Sequence, residues 1–91
     1  MNIIRAVCRI EKATKKPAIF YWNSDGIVDW MECYTFSEQH GEVAWKYYRH
    51  STRLPINKEE EEAITRLIKH YALICSRHRE MLVIGKRLTR K

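Results

Sequence analysis

Apolar and polar residues alternate near the start of the chain, which is the pattern of a β-strand with one buried face. Ile4, Ala6, Cys8 and Ile10 occupy alternate positions, with arginines at two of the positions between them. Because successive side chains of a strand point to opposite faces, this period of two predicts a strand. The segments "AIFYWN" and "IVDWMECY" are rich in aromatic and β-branched residues, and the turn-forming "NSDG" joins them. The first third of the chain therefore predicts a three-stranded antiparallel meander.

The apolar period then changes to that of a helix. Thr35 and Glu38 have the spacing of a capping box, in which two side chains bind orphan amides at a helix start. Advancing 100° per residue places five apolar or aromatic side chains on one face: Phe36, His40, Val43, Ala44 and Tyr47. We expect a first helix here, ended by Leu54 and Pro55.

A second helix is predicted after Asn57, which with Glu60 forms another cap. Acidic residues in its first turns and basic residues later complement the helix dipole. One side carries Ile64, Leu67, Ile68, Tyr71, Cys75, His78 and Leu82. The β-branched content of "MLVIGKRL" predicts a last strand over Leu82 to Leu88.

These elements predict an α+β fold of the order βββααβ. Both helices are expected to pack on one face of the meander, and the C-terminal strand is expected to join the sheet. Residues 1–91 should form a single domain, with the last two or three residues flexible.

The positive charge lies in the second half of the chain. The formal net charge is +6; up to Trp45 there are five Lys or Arg against six Asp or Glu, and from Lys46 onward there are twelve against five. Such a basic half favours an acidic partner, either nucleic acid or an acidic protein surface, because its field raises encounter rates. Charge alone does not choose between these two classes.

Cysteine usage and hydropathy indicate the compartment. Cys8, Cys33 and Cys75 are odd in number and widely spaced, unlike the framework of a disulfide-rich secreted domain. No stretch approaches the roughly 20 apolar residues of a membrane helix, and arginines interrupt the N-terminal apolar run. We therefore expect reduced thiols, a cytoplasmic location and no membrane partner.

Several short sequence segments resemble segments of small proteins encoded by bacteriophages and prophages. The segments are distributed over about two-thirds of the chain: Cys33 and Tyr34, Gln39 to Gly41, Tyr47 to Arg49, Arg53 and Pro55, Glu59 and Glu60, and Val83 to Leu88. The chain departs from the pattern at Leu54 and in its longer second helix. The resemblance implies an accessory protein of a phage or mobile element acting in the host cytoplasm, with no known reaction, cofactor or catalytic residue.

Metal-binding and catalytic sites have weaker support. Cys33, His40, Cys75 and His78 would make a Cys2His2 zinc site only if both pairs faced the same core, and neither spacing is a compact zinc knuckle. Buried thiols beside core histidines are the favoured interpretation. A cysteine hydrolase needs a third, orienting group, and the chain has no glycine-rich phosphate loop or paired-carboxylate motif. We expect neither an enzyme nor a cofactor.

A binding surface is the better-supported hypothesis. If Phe36 faces the core, Trp45 points outward with Arg49 one turn later; the alternative is that Trp45 packs under a loop or the other helix. On the second helix a basic face surrounds one leucine. Tryptophan and arginine are enriched in interface hot spots. The predicted contact residues are Trp45, Arg49, Arg53, Arg66, Lys69, Leu73 and Arg77, forming one face if the helices pack side by side. The favoured partner is a host protein with an acidic surface; the alternatives are nucleic acid bound by the basic half and a homodimer.

Overall fold

The computed structural model describes residues 2–22, 29–36 and 40–88. The central element of this part of the chain is a ten-residue strand. The elements in chain order are β1 (Asn2–Glu11), β2 (Pro17–Trp22), β3 (Trp30–Tyr34), β4 (His40–Ala44), α1 (Trp45–Ser51), β5 (Thr52–Arg53), α2 (Lys58–Arg77) and β6 (Glu80–Ile84). The six strands form one sheet in the order β4-β3-β2-β1-β5, with β6 also paired to β1. The α+β class is confirmed.

All pairs of neighbouring strands are antiparallel except one. In the meander, Cys8 lies opposite Ile19, and Phe20 lies opposite Cys33. The C-terminal strand β6 runs parallel to β1, with Ile4 opposite Leu82. A parallel neighbour requires a crossover, and α2 supplies it. The expected C-terminal strand therefore exists, but it occupies Glu80–Ile84 and not residues 82–88.

The two helices pack on opposite faces of the sheet, which corrects the prediction that they share one. Tyr71 and Cys75 of α2 pack with Ala6, Cys8 and Ile19. On the other face, Tyr48 of α1 packs with Val7 and Phe20. Each of these two residues is adjacent in its strand to a residue that packs against α2. Since neighbouring strand residues point to opposite faces, each helix covers its own side.

The predicted first helix is wrong over most of its length. Residues 40–44 form β4, which pairs with β3, and the helix starts only at Trp45 without a side-chain cap. Gly41 in this segment has a poor helix propensity, so cross-strand pairing prevails. The meander consequently has four strands. Two of the predicted features lie outside the described residues: Glu38 of the expected capping box, and the "NSDG" turn.

The predicted start of α2 is confirmed, and its end is earlier than predicted. The Asn57 side chain accepts a hydrogen bond of 2.8 Å from the Glu60 amide. At the other end, the amides of His78 and Arg79 bind the carbonyls of Cys75 and Ser76. Arg79 has a φ of 57°, in the left-handed region. The chain thus leaves the helix, and Leu82 belongs to β6.

The left-handed backbone of Arg79 predicts a stabilising substitution. A residue with a Cβ atom pays about 1 kcal/mol in this conformation, which glycine avoids. Arg79→Gly should therefore raise the free energy of unfolding by about 0.5–1 kcal/mol in denaturant titrations. Arg77→Gly, inside the last helical turn, should lower it by about 1 kcal/mol. A less stable Arg79→Gly variant would contradict this helix end.

Candidate functional site

The outer side of α2 carries an exposed stripe of cations around one leucine. We call Arg66, Lys69, Leu73 and Arg77 the α2 stripe. At 100° per residue these four positions fall within a sector of about 80°, so their side chains project in nearly one direction. All four are exposed, and Leu73 retains 64% of its accessible surface. The opposite side of α2 holds Leu67, Tyr71 and Cys75 in the core.

The cations of the α2 stripe are not used by the fold. In the part of the chain that the structure describes, Arg66, Lys69 and Arg77 make no ion pair and no side-chain hydrogen bond. Their charge is therefore open to a partner. The first turns of α2 carry the opposite charge on this side, because Glu59 and Glu62 are exposed and fall in the same angular sector as the α2 stripe. This side of α2 is therefore acidic over the first turns of the helix and basic along the α2 stripe.

Trp45 does not have the outward position predicted for it. It is partly buried and packs against the α1-side core. Its ring lies 5.4 Å from the Trp22 ring, with 22° between the planes, and 5.2 Å from the Tyr48 ring. The prediction failed because it counted helical phase from Phe36, which precedes β4 and is not helical. The indole contributes mainly to the core.

Beside Trp45 there is a shallow pocket with a basic rim. It is lined by Asp29, Ala44, Trp45, Lys46, Arg49 and His50. Arg49, Lys46 and His50 are exposed, as predicted for Arg49. The pocket lies on the α1 side of the sheet, so this second basic area is separate from the α2 stripe.

Arg53 has a structural role. Its guanidinium donates to both carboxylate oxygens of Glu60, at 2.6 and 2.8 Å. The same carboxylate accepts a bond from the Ile56 amide, so it ties β5 to the start of α2. Such a bidentate pair is the strong kind of charged hydrogen bond.

The seven predicted contact residues therefore do not form one surface. The α2 stripe is on one face of the sheet, Trp45 and Arg49 are on the other, and Arg53 is paired with Glu60. The condition for a single face was side-by-side helices, and the structure places the helices on opposite sides. The stripe remains the most coherent part of the predicted set.

The sulfur and imidazole groups considered as metal ligands are also separated. Cys33 is in the α1-side core, whereas Cys75 is in the α2-side core. His40 lies against Tyr34 and Tyr71, and His78 is exposed just beyond α2. Within residues 2–22, 29–36 and 40–88, no three His, Cys, Asp or Glu side chains are grouped as metal ligands.

Burial suppresses the acidity of the three thiols. Desolvation raises the pKa of Cys8 to about 12, with a smaller contribution from nearby Cys33. Desolvation also raises the pKa of Cys33 to about 12, with a smaller contribution from Glu11. Desolvation also raises the pKa of Cys75. Thiolates are the nucleophilic form, so these side chains behave as apolar core groups at neutral pH.

Sequence reasoning missed a partly buried polar junction that holds α1 to the sheet. The Arg9 guanidinium donates to the hydroxyl and the carbonyl of Thr52, at 2.8 and 2.9 Å, and lies 5.0 Å from the centre of the Tyr48 ring. Thr52 also donates to the Tyr48 carbonyl. The alternation gave no signal for this junction, because Arg9 occupies a polar position of the strand in the same way as the exposed Arg5.

Known proteins provide no relative for these surfaces. No protein-family model, curated protein or solved structure matches the chain. The resemblance to phage-encoded proteins stays an expectation. No helix in the described segments is long and apolar enough to cross a membrane.

The Arg53–Glu60 pair predicts a specific loss of stability in acid. Hydrogen bonds from Arg53, then from the Ile56 amide, lower the pKa of Glu60 from 4.5 to about 2. Because the folded-state pKa is depressed, the stabilisation is complete above pH 4.5 and is lost as the pH falls toward 2. Thermal unfolding of Glu60→Gln should therefore depend less on pH in this window than that of wild type.

The matched control is Glu61→Gln, which neutralises an exposed glutamate in the same helical turn. It should keep the wild-type pH dependence. Parallel curves for Glu60→Gln and wild type between pH 2 and 4.5 would contradict the role assigned to this pair.

The raised thiol pKa values predict slow cysteine modification. With a pKa of about 12, the thiolate fraction of Cys8 or Cys33 at pH 8 is about 10⁻⁴. A disulfide reagent such as DTNB should therefore react slowly with folded protein and release all three equivalents rapidly after denaturation. One fast equivalent from the folded protein would reveal an accessible, activated thiol and contradict this assignment.

Proposed function

We propose that this protein is a non-enzymatic binding protein whose α2 stripe docks on an acidic surface of another protein and modulates that protein's activity. The observation that carries the proposal is Leu73, 64% exposed between cations that the fold leaves uncompensated. An apolar side chain with Arg neighbours provides an anchor and a charged rim, which is the composition of an interaction hot spot. The phage resemblance adds that the partner is a host protein in the cytoplasm.

The charge order along α2 favours protein over nucleic acid as the partner. Glu59 and Glu62 share the angular sector of the stripe, and a phosphate backbone following the whole helix would meet these carboxylates. A protein surface can place acidic groups opposite Arg66 and Lys69 and a cavity opposite Leu73. Phosphates offer no comparable site for a leucine. Nucleic acid therefore remains the alternative function, supported by the basic second half as a whole.

Affinity capture with two charge-matched variants tests the proposed surface. Arg66→Glu with Lys69→Glu reverses the α2 stripe, while Lys46→Glu with Arg49→Glu makes the same change in net charge on the other side of the sheet. Capture from nuclease-treated host lysate should recover an acidic protein with wild type and the second variant only. Leu73→Ser, which leaves the charge unchanged, should weaken binding of that purified partner about tenfold or more.

Three results would overturn the proposal. If both charge variants recover the acidic protein equally well, the α2 stripe is not the binding surface. If neither variant recovers it, the attraction depends on net charge alone. Loss of every protein upon nuclease treatment would favour the nucleic-acid alternative. In that case, affinity for DNA or RNA should fall with a log-log salt slope of about −3 to −4.5, as expected for a few phosphate contacts.

A further inference from the structure

The outer side of α2 has an order of charges that is complementary to its own reverse. It carries four exposed charged residues in the order Glu59, Glu62, Arg66 and Lys69. At 100° per residue all four lie within a sector of about 80°. Glu59 and Lys69 are equally far from position 64, and so are Glu62 and Arg66. When the helix is turned end for end, each negative charge therefore takes the place of a positive one.

We propose that two copies of this chain associate through this side of α2, with the two helices antiparallel about a twofold axis at position 64. In this register Glu59 faces Lys69 of the second copy, and Glu62 faces Arg66. The twofold axis repeats both pairs, because the same patch is used on each copy. The four positions are separated alternately by three and four residues, which is the spacing that packed helices present to each other.

Charge complementarity selects this direction and this register. A parallel pair of helices would place Glu59 and Glu62 opposite the same residues of the second copy. Sliding the antiparallel helices by one turn would place either the two Arg66 or the two Glu62 side chains in contact, and sliding by two turns would pair Arg66 with Lys69 or Glu59 with Glu62. Like charges at such positions are destabilising. Only the register centred on position 64 opposes every charge with its opposite.

Exposed apolar side chains come together at both ends of the same register. Leu73 lies as far beyond position 64 as the segment around position 55 lies before it. In that segment Leu54 and Ile56 retain 56% and 73% of their accessible surface, and Leu73 retains 64%. A bond from the Ile56 amide to Glu60 holds the segment at the start of α2. Leu73 of each copy is therefore level with Leu54 and Ile56 of the other, and apolar burial adds to the ion pairs.

The dimer covers the α2 stripe, so self-association and binding of an acidic partner exclude each other. This consequence rests on the proposed docking function, whereas the dimer rests on the charges and apolar side chains of α2 and its start. A single pair of helices is a small interface, so we expect association at concentrations of about 10 µM to 1 mM. A partner that binds the stripe more tightly would separate the dimer.

Sedimentation equilibrium of a charge exchange tests the dimer and its register. Within one helix Glu59 and Lys69 are about 15 Å apart along the axis, so they pair only between copies. Glu59→Lys or Lys69→Glu alone should weaken dimerisation about tenfold or more, because each places two like-charged pairs in contact. The double exchange should restore it. Glu61→Lys makes the same charge change on an exposed residue outside the sector and should dimerise like wild type. Circular dichroism confirms that each variant is folded.

Three outcomes would overturn the dimer: wild type that stays monomeric at millimolar concentration, a double exchange that does not restore association, and equal weakening by Glu61→Lys. Capture of the acidic protein separates these outcomes from failure of the docking function. Glu59 is not one of the proposed docking residues, so monomeric Glu59→Lys should still capture the partner. Wild type that captures the partner without dimerising contradicts the dimer alone. Wild type that dimerises but captures no acidic protein contradicts the docking function alone.

Discussion

The structure depends on the alternation of side chains along β1. This strand pairs with β2 along one edge and with β5 and β6 along the other, so every other part of the sheet is positioned from it. Ala6 and Cys8 face α2, while Val7 and Arg9 face α1. Both faces are covered, so a shift of one residue would exchange the two cores. The arginine is tolerated because Thr52 and Tyr48 bind it.

The sequence was sufficient for the elements whose signals are local. Alternation and aromatic content identified β1 and β2, and the Asn57 cap identified the start of α2, because these depend on neighbours within a few residues. The segment His40–Ala44 was misassigned because its apolar positions also fit a helical period. What decides its structure is pairing with β3, a contact that local patterns do not contain. The parallel pairing of β6 with β1 is similarly nonlocal.

The same distinction explains the outcome for the candidate site. The exposure of Arg66, Lys69, Leu73 and Arg77 followed correctly from the phase of a correctly assigned helix. The orientation of Trp45 was derived from a helix that does not exist at Phe36, and its partner Trp22 is distant in sequence. Whether Arg49 lies on the same surface as the cations of the α2 stripe depends on which face of the sheet each helix covers. That choice is set by the strand order and register, not by either helix.

Consecutive residues of β2 contact different helices, and this arrangement separates the α2 stripe from the basic pocket beside Trp45. Aromatic nuclear Overhauser effects test it most directly. The ring centroids of Phe20 and Tyr48 are 5.5 Å apart, and those of Tyr21 and Tyr71 are 6.3 Å apart. We expect Phe20 to show contacts with α1 alone and Tyr21 with α2 alone. Contacts from both rings to the same helix would contradict the two-sided sheet and the separation of surfaces built on it.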